Sequence, residues 1–254
     1  MGKENDLVLF GGDSSWKAAD WIASDDRVRG GKSQSYLDCS GSGDSARFHG
    51  TLDIKTLGGA GFASQRTTTD SETWDLSDYD GIQLHLGKSD GKRYTFILKD
   101  ELLPRNPENG RDQATTSWEY DFGDENDVMG MGESSYLFVP WGSFKPTYRG
   151  KEKKDAGNLD KKNVKRFSIM MRSFFGDQEG DFSLTIKSIK AVSKPTDLEK
   201  GFTNIVDENG SKDFDRKSAF RVPSLVRVVA LGVLAYGVCT FACPLIHEMY
   251  MKRH

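Results

Sequence analysis

Residues 81–98 read GIQLHLGKSDGKRYTFIL, and the parity of their apolar positions decides the fold class. Ile82, Leu84 and Leu86 fall on one side of an extended chain, with Gln83 and His85 on the other. Tyr94, Phe96 and Leu98 repeat the pattern after a stretch rich in Gly, Asp and Lys. A period of two is the pleat of a strand with one buried face; an amphipathic helix repeats every 3.6 residues.

The same alternation recurs on both sides of this stretch. Within residues 47–54, Phe48, Gly50, Leu52 and Ile54 share one face, opposite Arg47, His49, Thr51 and Asp53. Trp118, Tyr120 and Phe122 form another set, and residues 136–139 a run that stops at Pro140. Phe167, Ile169 and Met171 follow, then Phe182, Leu184 and Ile186. After Lys187 the parity flips, Ile189 and Ala191 taking the apolar side, so a bulge is expected near Lys187 and Ser188. The one helical stretch expected in this region is short, near residues 14–22. Seven or more strands without intervening helices predict an all-β antiparallel sandwich or jelly roll, a single domain over residues 10–192.

The chain then changes character. Residues 193–222 carry six acids and six bases with no sustained pattern, which predicts a polar tether. Residues 228–246, VVALGVLAYGVCTFACPLI, hold no charge over 19 positions. As a helix this run is roughly 28 Å long, close to the hydrocarbon core of a bilayer. A transmembrane helix over 224–247 is therefore expected, anchoring the chain by its tail. Ala235, Cys239 and Cys243 give that helix one face of small side chains, which permits close helix pairing. Lys and Arg are denser before the run (Lys212, Arg216, Lys217, Arg221, Arg227) than after it (Lys252, Arg253), so the body is expected to face the cytosol. Neither a secretory signal nor a mitochondrial presequence is expected from MGKENDLVLFGGDSSW, which has no apolar h-region and no Arg-rich stretch. Asp6 breaks the myristoylation pattern that Gly2 invites. The basic end after a moderate-length anchor favours a mitochondrial membrane over the endoplasmic reticulum.

Composition excludes several classes. A net charge of −3 with interspersed signs offers no basic track for a phosphate backbone, so no nucleic acid partner is expected. Two of the three cysteines lie in the apolar run, leaving Cys39 alone and no disulfide framework. Residues 25–33, DDRVRGGKS, end like a phosphate-binding loop, but Asp26 stands where that loop needs Gly. Residues 75–81, DLSDYDG, have a calcium-loop composition with Leu76 at the first ligand position. His49 and His85 sit on polar strand faces, where a nucleophile pair with Cys39 is far less common than an ordinary exposed histidine. Two histidines also make a poor zinc site. Asp100 and Glu101, a strand-end pair of acids, read as turn-formers. The expectation is a non-enzyme without cofactor or metal. The ladder Trp118, Tyr120, Phe122 is a candidate stacking platform for carbohydrate, although such ladders are more often core.

Several short motifs, in order, resemble the complex I intermediate-associated protein 30 family, known as the CIA30 domain. They are Trp16 with DDRVRGGKS (25–33), GFASQR (61–66), YDGIQLHLGKSDGKRYTFILKDE (79–101), Trp118-Glu119-Tyr120, VPWGSFKPTYRG (139–150) and FSIMMRSFFGDQEGDFSLTIKSI (167–189). The resemblance covers residues 10–192 and implies a galactose-binding-like β-sandwich. It also implies a non-enzymatic role, since mitochondrial members are chaperone-like factors assembling NADH:ubiquinone oxidoreductase, and it brings no catalytic residues. The motif residues Asp26, Arg27, Gly30, Gly31, Arg66, Tyr148 and Arg149, with Trp118, become candidate binding residues. One reading makes them a partner-binding edge. The other makes the glycines turn-formers and the arginines fasteners of loops to carboxylates or carbonyls. The implied partner is a protein client, with respiratory complex I subunits or assembly intermediates as candidates; the alternative is a membrane-tethered carbohydrate-binding module.

Overall fold

The structure is a computed structural model of the 254-residue chain and describes residues 6–68, 72–123 and 135–193. The expected tether (Ser193 apart) and the expected membrane span at 224–247 lie outside the described residues. Among the described residues no helix is long and apolar enough to cross a membrane.

The strands, numbered β1 to β13 along the chain, form two sheets. One runs β3 (Gln34–Cys39), β4 (Ala46–Leu52), β13 (Gly180–Val192), β6 (Gly81–Ser89), β9 (Ser135–Pro140), and β1 (Leu7–Gly11) also pairs with β13. The other runs β11 (Lys151–Glu152), β10 (Lys145–Tyr148), β8 (Ser117–Phe122), β7 (Tyr94–Lys99), β12 (Arg166–Arg172), β5 (Phe62–Thr67), β2 (Trp21–Ala23). Every pairing is antiparallel. The expected all-β sandwich is the observed fold.

The period-two sets become the buried layer between the sheets. Phe48, Leu84 and Leu184 from the first sheet share one core with Tyr94, Phe96 and Phe167 from the second. Rings meet across the sandwich, Phe48 edge-on to Tyr94 at 6.1 Å between centroids. The expected bulge is present: Ile186 pairs with Leu86 and Ser188 with His85, so Lys187 is the extra residue. It lets both Ile186 and Ile189 be buried, and it divides β13 between β4 along its first half and β1 along its second.

The helix expected near residues 14–22 is a correction. Two 3-10 turns, Gly12–Ser14 and Ala18–Asp20, lead directly into β2. Trp16 and Trp21 are both buried against Phe10. Five residues apart, they would stand about 140° apart around a helix and could not both reach one core. An extended, turning backbone brings them to the same ring.

Candidate functional site: a loop end and a charged sheet face

The loop DDRVRGGKS is built around two carboxylates turned inward. Asp26 is fully buried. It accepts hydrogen bonds from the Ser33 backbone N–H at 3.0 Å, the Ser33 hydroxyl at 2.6 Å and the Phe62 N–H at 3.1 Å. Asp25 accepts from the hydroxyl and N–H of Ser35 and from the N–H of Ser64. Together they join β3 to β5 at a place where the two strands belong to different sheets. Gly30 takes the left-handed conformation at φ 85° that ends the turn, and Gly31 has no room for a side chain, since a Cβ there would stand 2.3 Å from the Asp26 carboxyl. Gly30 is thus a turn-former by its backbone, while Gly31 is held small by the neighbouring Asp26 carboxyl. What the loop shows to solvent is Arg27, Val28, Arg29 and Lys32, with Arg27 also reaching Asp25 at 3.2 Å.

Arg66 lies elsewhere, on the outward face of the seven-stranded sheet. Its guanidinium reaches Asp112 at 3.2 Å and donates to the Thr67 carbonyl. Asp112 also meets Arg166 at 3.1 Å and Arg105 at 3.5 Å, so three arginines converge on one carboxylate, and the two from the sheet, Arg66 and Arg166, fasten the segment 100–116 to it. On the same face Arg172 bridges Glu119 at 2.7 Å and Asp121 at 2.5 and 2.6 Å. Lys99 donates to the hydroxyl and carbonyl of Thr115. Burial, reinforced by the nearby Arg166 charge, pushes its ammonium down to about 8. Sequence reading missed this charged face. Its one signal was charge of a single parity on each strand: Glu119 and Asp121 on β8, then Arg166 and Arg172 at the two ends of β12.

Trp118 is 7% exposed, its indole N–H donating to Asp100 at 3.1 Å; Phe122 is buried at the other end of β8, and Tyr120 between them is partly buried against the core. The ladder is core, so the stacking platform expected as an alternative is not formed by these rings. Tyr148 and Arg149 occupy the exposed turn between β10 and β11, the Arg149 guanidinium over the Tyr148 ring at 5.5 Å. Four strand spacings separate β10 from β5, roughly 19 Å. The expected single edge therefore divides into three places: the 25–33 loop, Arg66 on the charged face, and the Tyr148–Arg149 turn.

His49 and Cys39 do not form a nucleophile pair. His49 meets Asp38 at 2.8 Å and stacks on Tyr36, while Cys39 pairs with Ala46, three residues away along β4. Burial raises the Cys39 thiol, and Asp38 adds to the effect. Hydrogen bonds from Arg47 and His49 hold the Asp38 carboxyl below the usual carboxylate range. His85 stacks on Tyr136 at 4.2 Å, and burial lowers its imidazolium.

Comparison with known proteins finds a sequence relative, distant solved structures and a family. A protein of Schizosaccharomyces pombe described only as uncharacterized is 44% identical over 191 residues, covering 74% of this chain and 84% of its own. Among solved structures, the family 11 carbohydrate-binding module of a cellulosomal cellulase from Clostridium thermocellum aligns at a TM-score of 0.48 and 15% identity. The alignment covers 74% of this chain and 95% of that one. A family 28 module specific for non-crystalline cellulose aligns at 0.36 and 9%, over 76% and 96%. These distant likenesses carry no argument about ligand. Residues 8–186, which take in nearly the whole sandwich, match the family described as Complex I intermediate-associated protein 30, and the chain belongs to that CIA30 family.

Proposed function

We propose that this sandwich is a non-enzymatic assembly factor that holds a protein client beside a membrane, the client being respiratory complex I subunits or their assembly intermediates. The observation that supports it is the family match across residues 8–186, the family being one of non-catalytic assembly factors. The interior is consistent with a scaffold. Its buried carboxylates Asp25 and Asp26 are spent on backbone and hydroxyl donors, and the glutamate of the charged sheet face is engaged by Arg172 and Thr147. The uncharged run 228–246 supports membrane attachment, with the body on the cytosolic side of a mitochondrial membrane.

Two experiments test the reading. An N-terminally tagged chain, purified under mild detergent from cells that possess complex I, is expected to bring complex I subunits with it in quantity above an unrelated tail-anchored control. Equal recovery from both removes the client. Alkaline extraction of membranes is expected to leave the full chain in the pellet and to release a version ending at residue 222; full chain in the supernatant removes the anchor.

A further inference from the structure

The turn between β12 and β13 holds two consecutive phenylalanines in left-handed backbone, Phe174 at φ 45° and Phe175 at φ 63°. Bulky residues rarely adopt that geometry, and strained positions persist only where surroundings over-determine them. The surroundings here do. The Gln178 side-chain amide donates to the carbonyls of Arg172 at 2.6 Å and Arg93 at 2.9 Å, and its oxygen accepts from the Arg93 N–H. Ser173 N–H donates to the Gly61 carbonyl at 3.0 Å, and Gly176 N–H to Ser173. The guanidiniums of Arg93 and Arg172 lie 4.0 and 4.7 Å from the Phe174 ring centroid. The outcome of this bracing is that Phe175 stands 99% exposed.

A second apolar tip lies on the neighbouring loop, Val28 at 58% exposed. The two loops meet at one dipeptide: Gly61 accepts from Ser173, and Phe62 donates to Asp26 while Arg29 lies over its ring at 5.4 Å. Arg27, Arg29, Lys32 and Lys55 are exposed around this junction. Of the acids here, Asp25 and Asp26 face inward, Asp177 is taken by Arg93 at 2.8 Å, Asp53 lies in the field of Lys32 and Lys55, and Glu179 is exposed on the Phe175 turn, away from the 25–33 rim in sequence.

We infer that this end of the sandwich, with Phe175 as anchor and the 25–33 loop as a basic rim, is the docking surface for a protein partner that offers an apolar pocket bordered by carboxylates. A ring already fixed on a braced loop loses little freedom on binding, which is the property of interface anchors. One phenyl ring and one isopropyl group are too little apolar area to hold a body on a bilayer, since membrane binding scales with buried area. This deepens the proposed function: the client's identity as complex I rests on that reading, the surface does not.

The test replaces Phe175 with the photoreactive p-benzoylphenylalanine in the full-length chain and irradiates living cells. Tyr136, 61% exposed on β9, receives the same group as a control. The expected result is a protein adduct at position 175 and not at 136, mapped by mass spectrometry to a segment containing Asp or Glu. That adduct falls about tenfold when Arg29→Glu and Lys32→Glu are combined, as a charge-steered encounter requires, with cooperative thermal unfolding showing that the variant is folded. No protein adduct at 175, equal labelling at 136, an adduct to lipid alone, or indifference to the charge reversal each overturns the inference. If the adducted protein is foreign to complex I, the docking surface stands and the complex I client falls.

Discussion

The indole N–H of Trp16 donates to the carbonyl of Lys187 at 3.0 Å, tying the segment after the first described turn to the bulge in the last described strand. A bulge leaves one residue outside the ladder, and Trp16 supplies the donor that Lys187 would otherwise lack there. Gly11 lies against the same junction; a Cβ on it would stand 2.1 Å from the Lys187 oxygen and 2.3 Å from the indole nitrogen. Trp16→Phe is expected to lower stability by about 1–3 kcal/mol, the loss of one buried hydrogen bond and its packing. Gly11→Ala, which also forces a side chain into φ 71°, is expected to exceed it. Urea denaturation of both variants checks the order, and an unaffected Gly11→Ala contradicts it.

Asp26 is the post on which the 25–33 loop turns. Asp26→Ala leaves the buried N–H of Ser33 and the N–H of Phe62 without their acceptor. At about 1–3 kcal/mol for each unsatisfied buried donor, a loss of roughly 3 kcal/mol or more is expected. Gly31→Ala should mimic it in part, because its methyl group would displace the same carboxyl. Differential scanning calorimetry reads both; a melting temperature near that of the unaltered chain for Asp26→Ala would show the loop to be held by something else.

Lys99 carries a pH signature. Its ammonium titrates at about 8 in the fold against an ordinary 10.5, mainly because burial disfavours the charge. Between those values the unfolded chain binds the proton that the folded chain has released, so this residue's contribution to stability rises with pH from about 8 to 10.5 and is level outside that window. Lys99→Met removes the effect. The stability difference between variant and parent should therefore move by up to about 3 kcal/mol in the parent's favour across that range. Chemical denaturation at pH 7.5, 9 and 10.5 measures it, and a constant difference refutes the assignment.

Asp112 gathers Arg66, Arg105 and Arg166. Asp112→Ala is expected to release the segment 100–116 without unfolding the sandwich, visible as faster limited proteolysis at Arg105 and Arg111 with an intact core fragment. Unchanged cleavage would mean that Lys99, through Thr115, suffices to hold the segment.

Most strands whose inward residues are large and apolar were legible from the sequence, β1 and β2 being too short to show the alternation, and the parity flip at Lys187 located the bulge. Other strands that were not legible have small or polar inward positions. In β5 these are Ala63, Gln65 and Thr67, and in β3 the buried Ser35 is bonded to Asp25. No hydrophobic alternation marks such strands, because their interior is satisfied by hydrogen bonds. The short helix failed for another reason: Trp16 and Trp21, five residues apart, reach one core only through turns. Family motifs found the 25–33 loop yet not its role, since an inward aspartate and an outward one read alike in sequence. Phe175 was invisible for a similar reason; its exposure follows from the Gln178 bracing, which joins residues 85 positions apart.

The most direct test of the account is deletion of this protein from a cell that possesses complex I, followed by native gel electrophoresis of its membranes. A client-holding assembly factor predicts a deficit of mature complex I with accumulation of a membrane intermediate, restored by the full chain and not by Phe175→Asp. Mature complex I at undiminished abundance in the deletion strain would contradict it.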